Sequence, residues 1–154
     1  TLFRSIIMST IYQKPTYQDN GDGTITDTVN NLTWLREDSW QTETKWFSWD
    51  EANDYARNLG GIKFAGHNDW RLPSTVEAQT LYDVDKENYD KYEKRIYLDP
   101  IFPKGPLPTI WIHEAMLGNE GYILDLRNGE VRLLFKSKTG RMAARPVRVK
   151  DLIE

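Results

Sequence analysis

The chain has no cysteine among its 154 residues. That absence excludes disulfides, thiolate metal sites and thiol nucleophiles, and it suits a reducing compartment. Histidine is nearly as scarce, with only His67 and His113 present, so a histidine-rich metal site has no donors to draw on. Long apolar runs are missing as well: nothing approaches the roughly 20 residues that span a bilayer. No excess of positive charge exists, since 20 Lys and Arg face 23 Asp and Glu for a net charge of -3. The chain therefore lacks the global field that phosphate-driven binding uses, and no nucleic-acid partner is expected. Catalytic words are also absent. There is no Gly-x-Ser-x-Gly elbow, and "GDGT" at 21–24 lacks the lysine and following helix of a phosphate loop. Asp50 and Glu51 have the chemistry of a glycosidase pair, but first-turn helix acids explain them. No cofactor and no metal set is expected.

What is present is aromatic. Six Trp and eight Tyr accompany 39% hydrophobic and 28% charged residues, the composition of a globular domain with one sizeable core. One domain is expected over 12–150. Residues 1–7 are set aside: Thr-Leu-Phe-Arg-Ser at 1–5 is what the tail of a common sequencing adapter encodes. The expectation is a non-native start, with translation beginning at Met8 and no legible signal peptide. Trp34 lies in a strand pattern and reads as core. Trp40 and Trp46, in the polar stretch "EDSWQTETKW", either fold back over the sheet or offer a flat apolar platform.

Along the chain, "DNGDGTITDTVNNLTWL" reads as a turn, a strand over 24–28, a tight turn at Asn30-Asn31 and a returning strand over 32–35. Its acids do not make an EF-hand, because that register puts Gln18 first and Val29 last where carboxylates are required. Ser48 with Glu51 forms a capping box, and Ala52, Tyr55, Ala56 and Leu59 follow on one helical stripe that Gly60-Gly61 should end. Ser74 with Glu77 repeats the device after Pro73, which should stop a strand over 70–72. The charged stretch 83–95 reads as a solvated helix extension or loop, pinned by Tyr89 and Tyr92. Proline-rich 99–108 is an irregular crossing, and strands should follow over 109–113, 121–126, 130–136 and 141–148. Asn128-Gly129 is the strongest hairpin signal. The pattern argues an α+β fold with an antiparallel sheet.

Candidate binding residues fall on two late loops. "HEAMLGNEGY" supplies His113, Glu114, Met116, Asn119 and Glu120, with Trp111 on the strand that leads in. "FKSKTGR" adds Lys136, Lys138 and Arg141. Loops on a rigid scaffold are where recognition sits, and these cations suit sulfate or carboxylate groups on an acidic glycan or cell surface. His113 with Glu114 is the single pair that chemistry could use.

The ordered set "YQDNGDGTITDTVNNLTW", "FSWDEANDYARNLGG", "GHNDWRLPSTVEAQTLYD", "DPIFP", "TIW", "GYILDLRNGEV" and "RMAARPVR" resembles the C-terminal domain family of the Legionella collagen-like protein, from 17 to 148. The resemblance implies a C-type lectin-like fold: terminal strands in one sheet, two flanking helices and a loop-rich second half. It also implies an exported or surface module, although no export signal is legible. Arg57 and Ala144 stand near the places where relatives often carry cysteines. Trp111-Ile112-His113 replaces a common Trp-Ser-Ser, so ligand identity does not transfer. The Glu-Pro-Asn type triplet of the lectin calcium site is missing.

"WRLPSTVEA" also resembles a stretch of formylglycine-generating enzymes and related iron oxidases, which share that fold. Those formylglycine enzymes hold copper through cysteine thiolates, which this chain lacks. The stretch does frame work instead: Trp70 precedes Arg71, which can pair with a carboxylate such as Asp69, while Pro73, Ser74 and Glu77 start the helix. The leading expectation is a non-enzymatic module that binds a glycan, peptide or cell-surface ligand through loops 111–122 and 136–141. The alternatives are a divergent metal-dependent oxidase centred on His113 and Glu114, or a structural adhesin or tail-fibre tip. The oligomeric state is not legible.

Overall fold

Asp27 anchors the first hairpin. Its carboxylate accepts the amides of Val29 and Asn30 at 3.0 and 3.1 Å, and Asn31 takes a left-handed φ of 58°, so the chain reverses between β2 (Thr24–Asp27) and β3 (Leu32–Leu35). Asn30 itself stays out of that region, so this is not the two-residue turn that the pair suggests. The computed structural model describes residues 12–150; the segment 1–7 and the start at Met8 lie outside the described residues. β1 (Tyr17–Asp19) pairs with β2, and β10 (Val147–Val149) pairs with β3, all antiparallel. Early and late chain thus share one sheet of order β1-β2-β3-β10. Gln13 N donates to Asn30 Oδ1 and Lys150 N to Asn31 O, which brings both ends of the described chain to the same turn.

Three helices carry complete capping boxes. α1 (Ser39–Glu43) follows Asp38, whose side chain accepts Gln41 N while the Gln41 side chain returns to Asp38 N. This helix was not expected, although Asp-x-x-Gln is a legible start signal. α2 (Trp49–Gly61) and α3 (Thr75–Gln79) begin at Ser48 and Ser74 with Glu51 and Glu77 answering, as the sequence predicts. The glycine pair ends α2 where expected, as its last two residues, but without the left-handed glycine that was expected to stop it. The helix runs through Gly61 to a cap at Ile62, and Gly60 is required for closeness: a Cβ there would stand 2.6 Å from Asn68 O. The strand expected over 70–72 is a single bridge, Arg71 to Val147. Pro73 has no N–H to extend it, and its carbonyl accepts His113 N at 2.7 Å.

The second sheet has the order β8-β7-β6-β9, from β6 (Thr109–Ala115), β7 (Glu120–Asp125), β8 (Val131–Phe135) and β9 (Met142–Ala143). It departs from the expected antiparallel arrangement in one place: β6 and β9 run parallel. The single strand expected over 141–148 divides because the chain changes sheets at Ala144-Arg145-Pro146. Buried Arg145 donates through Nη1 to Leu35 O and Arg36 O at 2.9 and 2.8 Å, and Pro146 O accepts Leu35 N. The stretch 83–95 is not a helix extension. It holds a small hairpin, β4 (Asn88–Tyr89) with β5 (Arg95–Ile96), closed by Asp90 accepting the amides of Tyr92 and Lys94. Tyr92 is pinned there, with the Lys91 and Arg141 cations over its ring.

The centre of the second sheet, β6 with β7, is covered on both faces. Ile110, Ile112 and Leu124 join Ile25, Leu32, Trp34 and Val147 in the larger core. Trp111 and Ile123 turn the other way, onto Phe47, Ala52, Leu72, Met142 and Ala144. That is the alternation a strand demands when neither side faces water. The two aromatic alternatives divide between the two rings: half-buried Trp40 folds back on the larger core, whereas Trp46 is 40% exposed.

Candidate functional site

The structure brings two expected loops to the start of α2. Between β7 and β6 the chain turns through Met116 to Asn119, and after β8 it turns through Lys136 to Arg141. Lys136 N donates to Asn119 O at 2.7 Å, and Trp49 N donates to Lys136 O at 3.0 Å. These bonds stitch the two loops and the helix start into one surface. The Lys136 ammonium reaches Gly118 O at 3.0 Å and lies 4.6 Å from the centre of the Trp49 ring. An open depression of ≈ 820 Å³ lies here, with Ser48, Asp50, Glu51, Asn119, Lys136 and Thr139 among its walls. Its lining carries both donors and acceptors, and Phe135, 53% exposed, adds an apolar ring to it.

Electrostatics in this depression are mixed. The Glu51 carboxyl sits below its ordinary value because the Lys45 ammonium and the Ser48 amide bond it, so it is charged at neutral pH. The same carboxylate closes the capping box of α2, accepting Ser48 N at 2.9 Å.

The expected residues divide into those that reach this surface and those that do not. Asn119 and Lys136 line it, and Lys138 is exposed on the neighbouring turn. Trp111 does not reach it. Its ring is completely buried and its indole N–H donates to Phe47 O at 2.8 Å. Burial follows from its position on a strand covered on both faces, so it is a core residue and not a contact residue. Arg141 stacks over Tyr92 at 5.0 Å, so it does not join Lys136 in a basic cluster. Met116 is exposed and its sulfur receives the Tyr122 hydroxyl, while half-buried Glu120 pairs with Phe135 across the sheet.

His113 and Glu114 occupy successive positions near the end of β6, where side chains alternate in direction. The Glu114 carboxylate is already engaged, accepting Thr75 N at 2.8 Å and Thr75 Oγ1 at 3.3 Å across the start of α3. Among the described residues, no three His, Asp or Glu side chains gather as a metal ion needs.

The frame stretch is rearranged relative to expectation. Arg71 does not pair with Asp69; it forks onto Glu77 through Nη1 and Nη2 at 2.7 and 2.9 Å. Asp69 instead takes Arg148 of β10, at 2.7 Å. Arg71 is itself the residue that bridges Val147, and its side chain runs along the chain to the start of α3, while Asp69 meets the residue after Val147. Buried Trp70 donates its indole N–H to Phe64 O at 2.9 Å. Sequence reasoning assigned Ser48, Asp50 and Glu51 only to helix capping and missed their place in the depression. No local signal marks that role, because the loops that complete it lie about 70 to 90 residues downstream.

These features define an α+β domain whose early and late strands share a sheet and whose late loops meet a helix start. The chain matches the family model of the Lcl C-terminal domain over residues 23–148, and it belongs to that family. A search of the curated proteins returned no significant match. No helix among the described residues is long and apolar enough to cross a membrane.

Proposed function

We propose that this domain is a non-enzymatic recognition module of C-type lectin-like fold, and that its ligand is a glycan or a glycan-bearing cell-surface component. The observation that carries the reading is the depression joining loop 116–119, loop 136–139 and the first turn of α2. Supporting it are the shared sheet of β1–β3 with β10 and membership of the Lcl C-terminal domain family. Hydroxyl, amide, carboxylate and ammonium groups all line the depression, together with Phe135. A polyhydroxylated ligand fits such a lining, since each sugar hydroxyl both donates and accepts and each ring has an apolar face. Asp50 and Glu51 beside Lys136 disfavour a purely anionic ligand, which narrows the expectation built on the basic residues alone.

The test is a glycan array with the full chain, spanning neutral and acidic sugars, followed by titration of the hits against variants. Binding is expected to weaken about tenfold when Asn119 or Asp50 becomes Ala, the cost of a lost ligand hydrogen bond. Silence across both panels, or hits indifferent to both variants, would overturn the reading.

A further inference from the structure

Among the described residues, β8 is the outermost strand of the second sheet and pairs only with β7. Two bonds set its phase: Asp125 N donates to Glu130 O, and Lys136 N donates to Asn119 O. Alternation then turns the even residues of β8 toward β7 and leaves the amides of Val131, Leu133 and Phe135 and the carbonyls of Val131 and Leu133 directed outward, while Phe135 O accepts Lys138 N at 2.9 Å in the following turn. Leu133 and Phe135 are 40% and 53% exposed. The strand has an unbroken register with β7 from 131 to 135 and contains no proline. A bulge or a proline is a usual device by which an edge avoids pairing, and neither is present.

We infer that this edge is a self-association site, and that its occupant is β8 of a second copy, antiparallel about a twofold axis at Leu133. The register follows from charge. Outward-facing residues must meet outward-facing residues, so the strand can shift only in steps that keep odd residues opposite odd ones. With Leu133 opposite Leu133 of the second copy, Val131 meets Phe135 and Glu130 meets Lys136, each pair occurring twice by symmetry. Sliding one step one way sets Arg132 against Arg132. Sliding the other way sets Arg132 against Lys136. Like charges directly opposite are destabilising and opposite charges stabilising, so the centred register is favoured over both neighbours, and it is the one that pairs all three outward residues of each strand. It also extends the stripe of half-buried Val131 and exposed Leu133 and Phe135 into a continuous apolar seam.

The pairing joins two four-stranded sheets into one and sets the two depressions near Lys136 about 20 Å apart along the strand direction. It does not depend on what the depression binds.

Sedimentation velocity of the full chain, from low micromolar to near-millimolar concentration, should give a reversible monomer–dimer equilibrium. Leu133→Lys and Glu130→Lys change exposed side chains and should each raise the dimer Kd about tenfold, whereas Glu130→Lys with Lys136→Glu should return it to within about threefold of the starting value. Circular dichroism of each variant checks that the monomer is folded. A chain that stays monomeric at every concentration, a trimer, or a dimer indifferent to both single variants would overturn the inference.

Discussion

The Arg71 guanidinium grips the Glu77 carboxylate through both terminal nitrogens, at 2.7 and 2.9 Å, while the same carboxylate accepts Ser74 N at 2.8 Å. One side chain thus closes the capping box of α3 and ties that helix to the segment that bridges β10. Glu77 is 3% exposed, and breaking a buried, hydrogen-bonded pair from one side leaves an uncompensated partner. Arg71 is partly exposed, which moderates the penalty. Glu77→Gln should therefore lower unfolding stability by about 2 kcal/mol, and Glu77→Ala by more, since the cap is lost as well. Urea denaturation followed by tryptophan fluorescence measures both. A change within error of zero for Glu77→Ala would show that the frame does not depend on this pair.

Acid should weaken the fold through the same carboxylate. Burial disfavours the Glu77 charge, but the Arg71 and Ser74 bonds outweigh it and hold the group below its ordinary 4.5. Asp125 behaves alike: burial opposes its charge, and Arg127 and Arg132 together keep it below 3.8. Both have lower folded than unfolded values, so the unfolded chain takes protons first as pH falls. Their stabilisation is complete above about pH 5 and drains away below the ordinary values, through the depressed folded ones. Asp38 runs opposite. Burial raises it despite Arg145 and the backbone amides of Gln41 and Leu107, so in the window above 3.8 its contribution declines as pH rises. The net expectation is a loss of urea midpoint on acidification below about pH 4.5, shallower in Glu77→Gln than in the parent chain. Equal slopes for the two proteins would remove Glu77 from the account.

Trp111→Ala should act on folding. The ring is completely buried and its N–H bond to Phe47 O joins β6 to the segment before α2. Emptying such a site costs about 3–5 kcal/mol. Lys138→Ala, on an exposed turn, should stay within about 0.5 kcal/mol of the parent. Thermal melts of the two variants side by side separate a core role from a surface one, and a fully stable Trp111→Ala protein would contradict this packing.

Adjacent glycines in α2 should respond in opposite ways. A Cβ on Gly60 would meet Asn68 O at 2.6 Å, a backbone atom that cannot step aside, whereas Gly61 has nothing within 4 Å. Gly60→Ala should destabilise. Gly61→Ala should be neutral or stabilising by up to about 1 kcal/mol, the helix preference for alanine over glycine. Matching melting temperatures for the two variants would refute the close approach.

How much of this was legible depends on distance along the chain. Ser48/Glu51 and Ser74/Glu77 are boxes closed within four residues, so local chemistry decided where α2 and α3 begin, and Asp38 with Gln41 carried the same signal for α1. Asp27 and Asn31 are likewise neighbours, and so the first hairpin could be read from its turn. The partner of Arg71 could not, because Asp69 and Glu77 are both near in sequence and only the direction of the side chains chooses between them. Asp38 is a sharper case: its second oxygen accepts Leu107 N at 2.7 Å, a bond no periodicity announces.

The amino-acid sequence by itself determined the absence of thiol chemistry, the α+β class, the helix starts and the alternating faces of the strands, since each follows from side-chain chemistry or from contacts a few residues apart. Tertiary structure alone decided that Trp111 is core, that β6 and β9 run parallel, that residues 144–146 carry the chain from one sheet to the other, and that two late loops meet the first turn of α2. Those outcomes rest on which distant surfaces fill each other's volume and satisfy each other's amides, a condition set by the whole chain and by no local stretch of it.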